Sequence, residues 1–242
     1  MLLLGICCIL GACEAESSHE SDEAMTSETI SYLALGDSYT IGESVDSALR
    51  WPVQLAGRMR EAGVLMEDPR IIARTGWTTD ELSIGMDEAE VEGEFDLVSL
   101  LIGVNNQYRG RSVEEYRVQF AALLERAIGL AGGHPARVLV LSIPDWGVMP
   151  FAEGRDRARV GREIDVFNEV QERLSREKDV RFLNVTEISR RAASDLGLVA
   201  TDGLHPSGVM YGLWAEAALP VVLDMLDRAD SDGRVDMEGR VR

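Results

Sequence analysis

Histidine and lysine are nearly missing from this chain, which has only His19, His134, His205 and Lys178. So few imidazoles exclude a histidine-rich zinc centre and leave little choice of a general base. Cysteine ends at position 13, since Cys7, Cys8 and Cys13 are the only three, so no disulfide or thiol chemistry belongs to the remainder. Clustered positive charge is also lacking. The formal net charge is −18, which argues against a nucleic-acid partner because phosphate binding needs grouped cations. No Gly-x-Ser-x-Gly elbow and no glycine-rich phosphate loop occur, which disfavours an α/β-hydrolase and a nucleotide site.

With 242 residues, 45% of them hydrophobic, the chain is large enough for one domain with a substantial core. It divides into a signal segment at 1–12, an acidic tether at 13–29, a folded domain at 30–228 and a polar tail at 229–242. The apolar run 1–13 is too short to span a bilayer and reads as the core of a secretion signal. Its end, Leu10-Gly11-Ala12-Cys13, resembles a bacterial lipobox. That resemblance implies cleavage before Cys13, lipid attachment to its sulfur and export to the cell envelope, periplasmic or outer membrane; a plain signal peptide is the other reading. The tether carries six acids, no bases and several serines, too little apolar surface to offset the entropy of ordering.

Beyond it, apolar runs at 31–35, 70–73, 96–102, 137–143 and 180–185 predict five strands. The third and fourth are nearly continuous in Leu, Val and Ile, the pattern of strands buried on both faces. Helices are predicted near 51–61, 78–90, 112–130, 159–178 and 208–228, where apolar side chains such as Tyr116, Phe120, Leu123 and Leu124 recur at steps of three and four. Strict alternation of strand and helix predicts an α/β fold with a parallel sheet covered on both sides.

His205 stands in Asp202-Gly203-Leu204-His205-Pro206, while His19 and His134 fall in a tether and a glycine-rich linker. A serine hydroxyl is a poor nucleophile unless an imidazole takes its proton and a carboxylate fixes the imidazole tautomer. On a helical turn, residues three apart share a face, so Asp202 can hold Nδ1 of His205. The plainer reading of Asp202 is a helix cap. In an open parallel sheet the ligand crevice lies beyond the carboxyl ends of the strands. Ser38 follows the first predicted strand, Gly76 the second, Asn105 the third, and Asp202 with His205 the fifth.

Taken together, Gly36-Asp37-Ser38, Gly76, Gly103-Val104-Asn105-Asn106 and Asp202-Gly203-Leu204-His205-Pro206 resemble the four signature blocks of the SGNH, or GDSL, hydrolase superfamily. The resemblance implies a flavodoxin-like three-layer fold with a five-stranded parallel sheet. It implies Ser38 as nucleophile, His205 as base, Asp202 as orienting acid, and an oxyanion hole from the backbone N–H groups of Ser38 and Gly76 with the Asn105 amide. Asn105 is otherwise a turn residue bonding its own backbone, and Asn106 departs from the aspartate common in the family. Neither a cofactor nor a metal is expected; Asp230 to Asp236 has some calcium-loop spacing but lacks the distal glutamate.

Tyr39, Trp77, Tyr108, Trp146 and Phe151 adjoin strand ends and either line a substrate pocket or pack over the sheet. Arg109 and Arg111 either meet an anionic group or are solvated. The expected activity is hydrolysis of a small-molecule or glycan ester, on short to medium acyl esters or lysophospholipid-like esters. The alternatives are a carbohydrate O-acetylesterase and a non-catalytic envelope binding module.

Overall fold

The computed structural model describes residues 29–239, and their side chains as far as 228. The signal segment, Cys13 and nearly all of the tether therefore lie outside the described residues. Five strands, β1 Tyr32–Gly36, β2 Arg70–Ala73, β3 Leu97–Leu101, β4 Val138–Leu141 and β5 Arg181–Leu183, form one parallel sheet in the order β2-β1-β3-β4-β5. This is the flavodoxin-like order, with its switch point between β1 and β3. Every residue of the three central strands is buried, whereas β2 and β5 are only partly covered, as edge strands should be. Tyr32 and Ser99 join their hydroxyls at 3.0 Å between β1 and β3, so the polar atoms of these buried strands have partners.

The helices are α1 Ser38–Ile41, α2 Trp51–Glu61, α3 Thr79–Glu88, α4 Val104–Tyr108, α5 Val113–Leu130, α6 Arg157–Glu177, α7 Thr186–Arg190 and α8 Gly208–Gly239. α5 begins where Ser112 accepts the Glu115 N–H, a capping bond that stabilises a helix start by about 1 kcal/mol. The helices divide into two groups: α2 and α8 pack together, while α3, α5 and α6 adjoin in series. The apolar stripe read from α5, Tyr116, Phe120, Leu123, Leu124 and Ala127, is the face it buries.

α8 runs on to Gly239, past 228 into the polar tail. Once packing anchors a helix, each further residue adds a hydrogen bond, and no proline follows Pro220 to interrupt it. The segment with calcium-loop spacing lies within that helical backbone. By length and composition Gly208–Arg228 also passes for a membrane span, yet Met210, Tyr211, Trp214, Ala218 and Val222 are fully buried in the domain core.

Candidate active site

The short loops leaving β1, β2 and β3 meet at the switch point. Gly36 ends β1 against the next strand: a Cβ there would sit 2.4 Å from the Leu101 carbonyl oxygen and 2.1 Å from Thr40 Oγ1, so only glycine permits the approach. Asp37 then caps α1 by accepting the Tyr39 N–H at 3.0 Å, and Ser38 becomes the first residue of that helix. Asp37 is buried, with its second oxygen unpartnered. Burial pushes its pKa up to about 7 against the lowering effect of the Tyr39 N–H.

Ser38, Tyr39, Thr75, Gly76, Val104, Asn105, Tyr108, Trp146, Phe151, Leu204 and His205 enclose a cavity of about 190 Å³. Residues far apart in the chain thus face one space. Among the described residues no hydrogen bond joins Ser38 Oγ to His205, and catalytic hydrogen bonds commonly tighten only when substrate is bound.

Asp202 and His205 do meet, though by a different route from the one expected. They occupy a turn before α8 rather than a helical turn, with Gly203 at φ 72° and the Ala200 N–H donating to the His205 carbonyl at 2.8 Å. Asp202 Oδ1 accepts the N–H groups of Leu204 and His205 at 2.9 and 3.0 Å, and Oδ2 lies 2.6 Å from Nδ1 of His205. The capping reading falls to Ser207, whose hydroxyl accepts the Met210 N–H at 3.3 Å. A further donor, Ser44 Oγ, reaches Asp202 Oδ2 at 2.7 Å. Partial burial raises the Asp202 pKa, but the bonds from His205, Ser44 and the backbone outweigh it and hold the carboxyl well below the usual carboxylate range.

Ser44 escaped the sequence reading, and its φ of 65° makes it one of three non-glycine residues in the left-handed region among those described. Strain of that kind gathers at functional sites. No sequence signal marks it, because its partner is 158 residues away.

Gly76 has φ 86°, and the Trp77 N–H donates back to the Arg74 carbonyl at 3.2 Å, a tight turn that places Gly76 at the cavity. Asn105 does not bond its own backbone through its side chain; Nδ2 donates to the Trp77 carbonyl at 2.9 Å. Asn106 is buried and ties α4 to α3, accepting the Thr79 N–H at 3.1 Å and donating to Thr79 Oγ1 at 2.7 Å.

The aromatic expectations divide. Tyr108, Trp146 and Phe151 form one wall, with ring centroids 5.4, 6.1 and 6.4 Å apart pairwise, and Arg155 stacks its guanidinium 5.3 to 5.5 Å from all three. Tyr39 also lines the cavity and sets its ring edge-on to His205 at 5.6 Å. Trp77 does not belong to the lining: its ring lies on α3 at Gly85, where an added Cβ would be 2.1 Å away. The one position on that helix face without a side chain accepts the indole. Nor are the two arginines free, since Arg109 pairs with Glu81 at 3.0 Å and Arg111 with Asp80 at 2.7 Å.

A model of the GDSL-like lipase/acylhydrolase family matches residues 34–213. The chain belongs to that family. Members of the GDSL family are ester-hydrolysing enzymes, and the chain is one by membership. Among solved structures, TesA is 20% identical over 81% of this chain and 99% of its own, with a TM-score of 0.63. The acetylxylan esterase Axe2 of Geobacillus stearothermophilus is 19% identical over 82% of this chain and 96% of its own, with a TM-score of 0.60. Esterase EstA from Pseudoalteromonas, inhibited by monoethylphosphonate, is 16% identical over 84% of this chain and 97% of its own, with a TM-score of 0.54. At such identities these likenesses speak to the fold. A search of curated proteins finds no match by sequence.

Proposed function

We propose that this GDSL enzyme cleaves carboxylic esters through an acyl-enzyme on Ser38. The observation that carries the reading is the Asp202–His205 pair, joined at 2.6 Å and set on the cavity that Ser38, Gly76 and Asn105 also line. With Nδ1 committed to Asp202, the free Nε2 takes the Ser38 proton as Oγ attacks the ester carbonyl. Negative charge builds on the carbonyl oxygen, where the N–H groups of Ser38 and Gly76 and the Asn105 amide stabilise it as neutral, preoriented donors. As the ester C–O bond breaks, the imidazolium returns the proton to the leaving alcohol. Water then attacks the acyl carbon, His205 takes its proton and passes it to Ser38, and the acid departs.

A cavity of about 190 Å³ is smaller than the roughly 300–1,000 Å³ of drug-sized sites, and Tyr108, Trp146 and Phe151 bound one side of it, which supports a short to medium acyl group. The same dimensions suit an acetyl group, so a carbohydrate O-acetylesterase is the second reading. We also propose export and lipid anchoring through Cys13, on the strength of Leu10-Gly11-Ala12-Cys13.

Labelling with a fluorophosphonate, followed by a panel of acyl esters from acetyl to dodecanoyl and of acetylated glycans, tests the reading. Adduct formation on Ser38 and rates that peak at short to medium chains are expected. No adduct in active protein would refute the nucleophile; strong preference for acetylated glycans over every simple ester would select the second reading. Cys13→Ser is expected to shift the full chain out of the membrane fraction, and unchanged partitioning would reject the anchor.

A further inference from the structure

The Gly76 loop has little stiffness of its own. Its central residue has no side chain and sits at φ 86°, a conformation glycine leaves as readily as it enters. Beside its own Trp77–Arg74 turn bond and the contact of Thr75 with Glu43, it is held from α4 and its C-terminal cap. Arg109 Nη2 donates to the Gly76 carbonyl at 2.7 Å, and Asn105 Nδ2 donates to the next carbonyl, Trp77, at 2.9 Å. The other arm of the fork, Arg109 Nη1, reaches Glu81 Oε1 at 3.0 Å, and Glu81 Oε2 accepts the Thr78 N–H at 2.9 Å. Three consecutive residues, 76 to 78, are thereby tied to one frame. The Arg109 N–H in turn bonds the Asn105 carbonyl at 3.0 Å, so the clamp and the amide share one short stretch of backbone.

We infer that Arg109 is a positioning residue: it sets the spacing between the Gly76 N–H and the Asn105 amide, the two donors from separate elements that the proposed reaction aims at the developing oxyanion. The inference rests on the reading of these groups as an oxyanion hole. The guanidinium does not line the cavity, so it acts through the loop and not on substrate. Its side chain is 42% exposed and its partner Glu81 36%, and pairs this open add little to folding stability. A planar fork bridging a carbonyl and a carboxylate is a geometric device that a lysine ammonium reproduces only at one point.

The test compares Arg109→Met, Arg109→Lys and Asn105→Ala in the full enzyme, measuring kcat, KM and the rate of fluorophosphonate inactivation. A misplacement on the order of 1 Å costs up to about 10²-fold, and loss of one donor about 10²–10³-fold. Arg109→Met is expected to lower kcat about 10- to 10²-fold, to slow inactivation in parallel and to leave KM within about threefold, with Arg109→Lys intermediate. The double variant with Asn105→Ala should lose less than the product of the single losses, because both act on one hole. Unchanged kcat in Arg109→Met beside a crippled Asn105→Ala would overturn the inference, as would a rise in KM alone, which would make Arg109 a substrate contact. Full activity in Asn105→Ala would instead defeat the oxyanion-hole reading itself. Should Arg109→Met fail to fold, Arg109→Lys with Glu81→Gln carries the same comparison: kcat falling at constant KM supports the clamp, and parental kcat in both overturns it.

Discussion

The carboxyl edge of the sheet has two halves, and both are crowded with polar side chains. Beyond β4 and β5, Ser142 Oγ accepts the N–H groups of Val185 and Thr186 at 2.8 and 3.1 Å and meets Thr186 Oγ1 at 2.7 Å. Asn168 takes the Ile143 N–H at 2.7 Å and returns its own amide to the Ile143 carbonyl at 3.1 Å. Asp145, buried, is matched by Arg190 at 3.1 Å. Beyond β1, β2 and β3, Ser38, Gly76 and Asn105 face a cavity, while Asp37, Thr40, Trp51, Tyr211 and Trp214, none of which lines it, each keep a buried polar atom without a partner. Convergence of polar residues on a sheet edge is therefore not by itself a site. One half spends its hydrogen bonds on itself and serves stability; the other sets Ser38, Gly76, Asn105 and His205 around a cavity, the condition for acting on something else.

The widest separation between the halves should come from Ser38→Ala and His205→Ala. Each is expected to lower kcat by about 10⁴-fold or more with melting unchanged, and the pair together to cost little more than either alone. Independent, additive losses would break the assignment of the open half as one catalytic unit.

In the closed half, Thr186→Val keeps the shape and removes a hydroxyl that serves Ser142, Asn168 and the Ile143 carbonyl. Unfolding in urea should show about 1–3 kcal/mol lost, with kcat per folded molecule unaltered. A kcat that falls with no change in stability would erase the contrast.

Ser44→Ala sharpens the comparison inside the site, because alanine keeps the Cβ, and hence the backbone strain, while removing one donor to Asp202. We expect kcat to drop about three- to tenfold, the effect of one neutral donor among several to a charged group. Unchanged kcat would reduce Ser44 to a loop contact.

Asp37 gives the smallest effect, readable in pH. Its folded pKa of about 7 lies above the ordinary value of 3.8, so between about pH 4 and 7 the folded state binds more protons than the unfolded one. Stability from this group is thus full at low pH and lost as pH rises through 7. Asp37→Asn cannot ionise, and its melting temperature relative to the parent should be higher at pH 8 than at pH 5 by a few degrees. A difference independent of pH would mean that Asp37 is charged throughout, with a folded pKa no higher than its unfolded one.

Much of this molecule was readable from local pattern. β2 and α2 fall at the positions read from hydrophobic run and period, and the other strands and the helices α3, α5 and α6 differ by one or two residues at one or both ends. Those signals lie within one element and depend only on which faces must leave water. The blocks at 36–38, 103–106 and 202–206 were equally legible, since each occupies a few consecutive residues. Outside that reach the sequence was silent or misleading. Trp77 turned away from the cavity because Gly85 on another element left room for its ring, and the Asp202–His205 pair formed in a glycine-bearing turn where a helical face had been expected.

The sequence by itself determined the alternation of strand and helix, the burial of the central strands, and that Ser38 and Asn105 stand at the ends of β1 and β3. Only the tertiary structure decided that Ser44 supports Asp202, that Arg109 clamps the Gly76 loop, and that Tyr108, Trp146 and Phe151 share a wall while Trp77 does not. Secondary structure follows from hydrophobic periods and local hydrogen bonds that a few neighbouring residues can specify. The direction of a side chain in a loop depends on the space that distant segments leave for it, and that space exists only after the layers have packed.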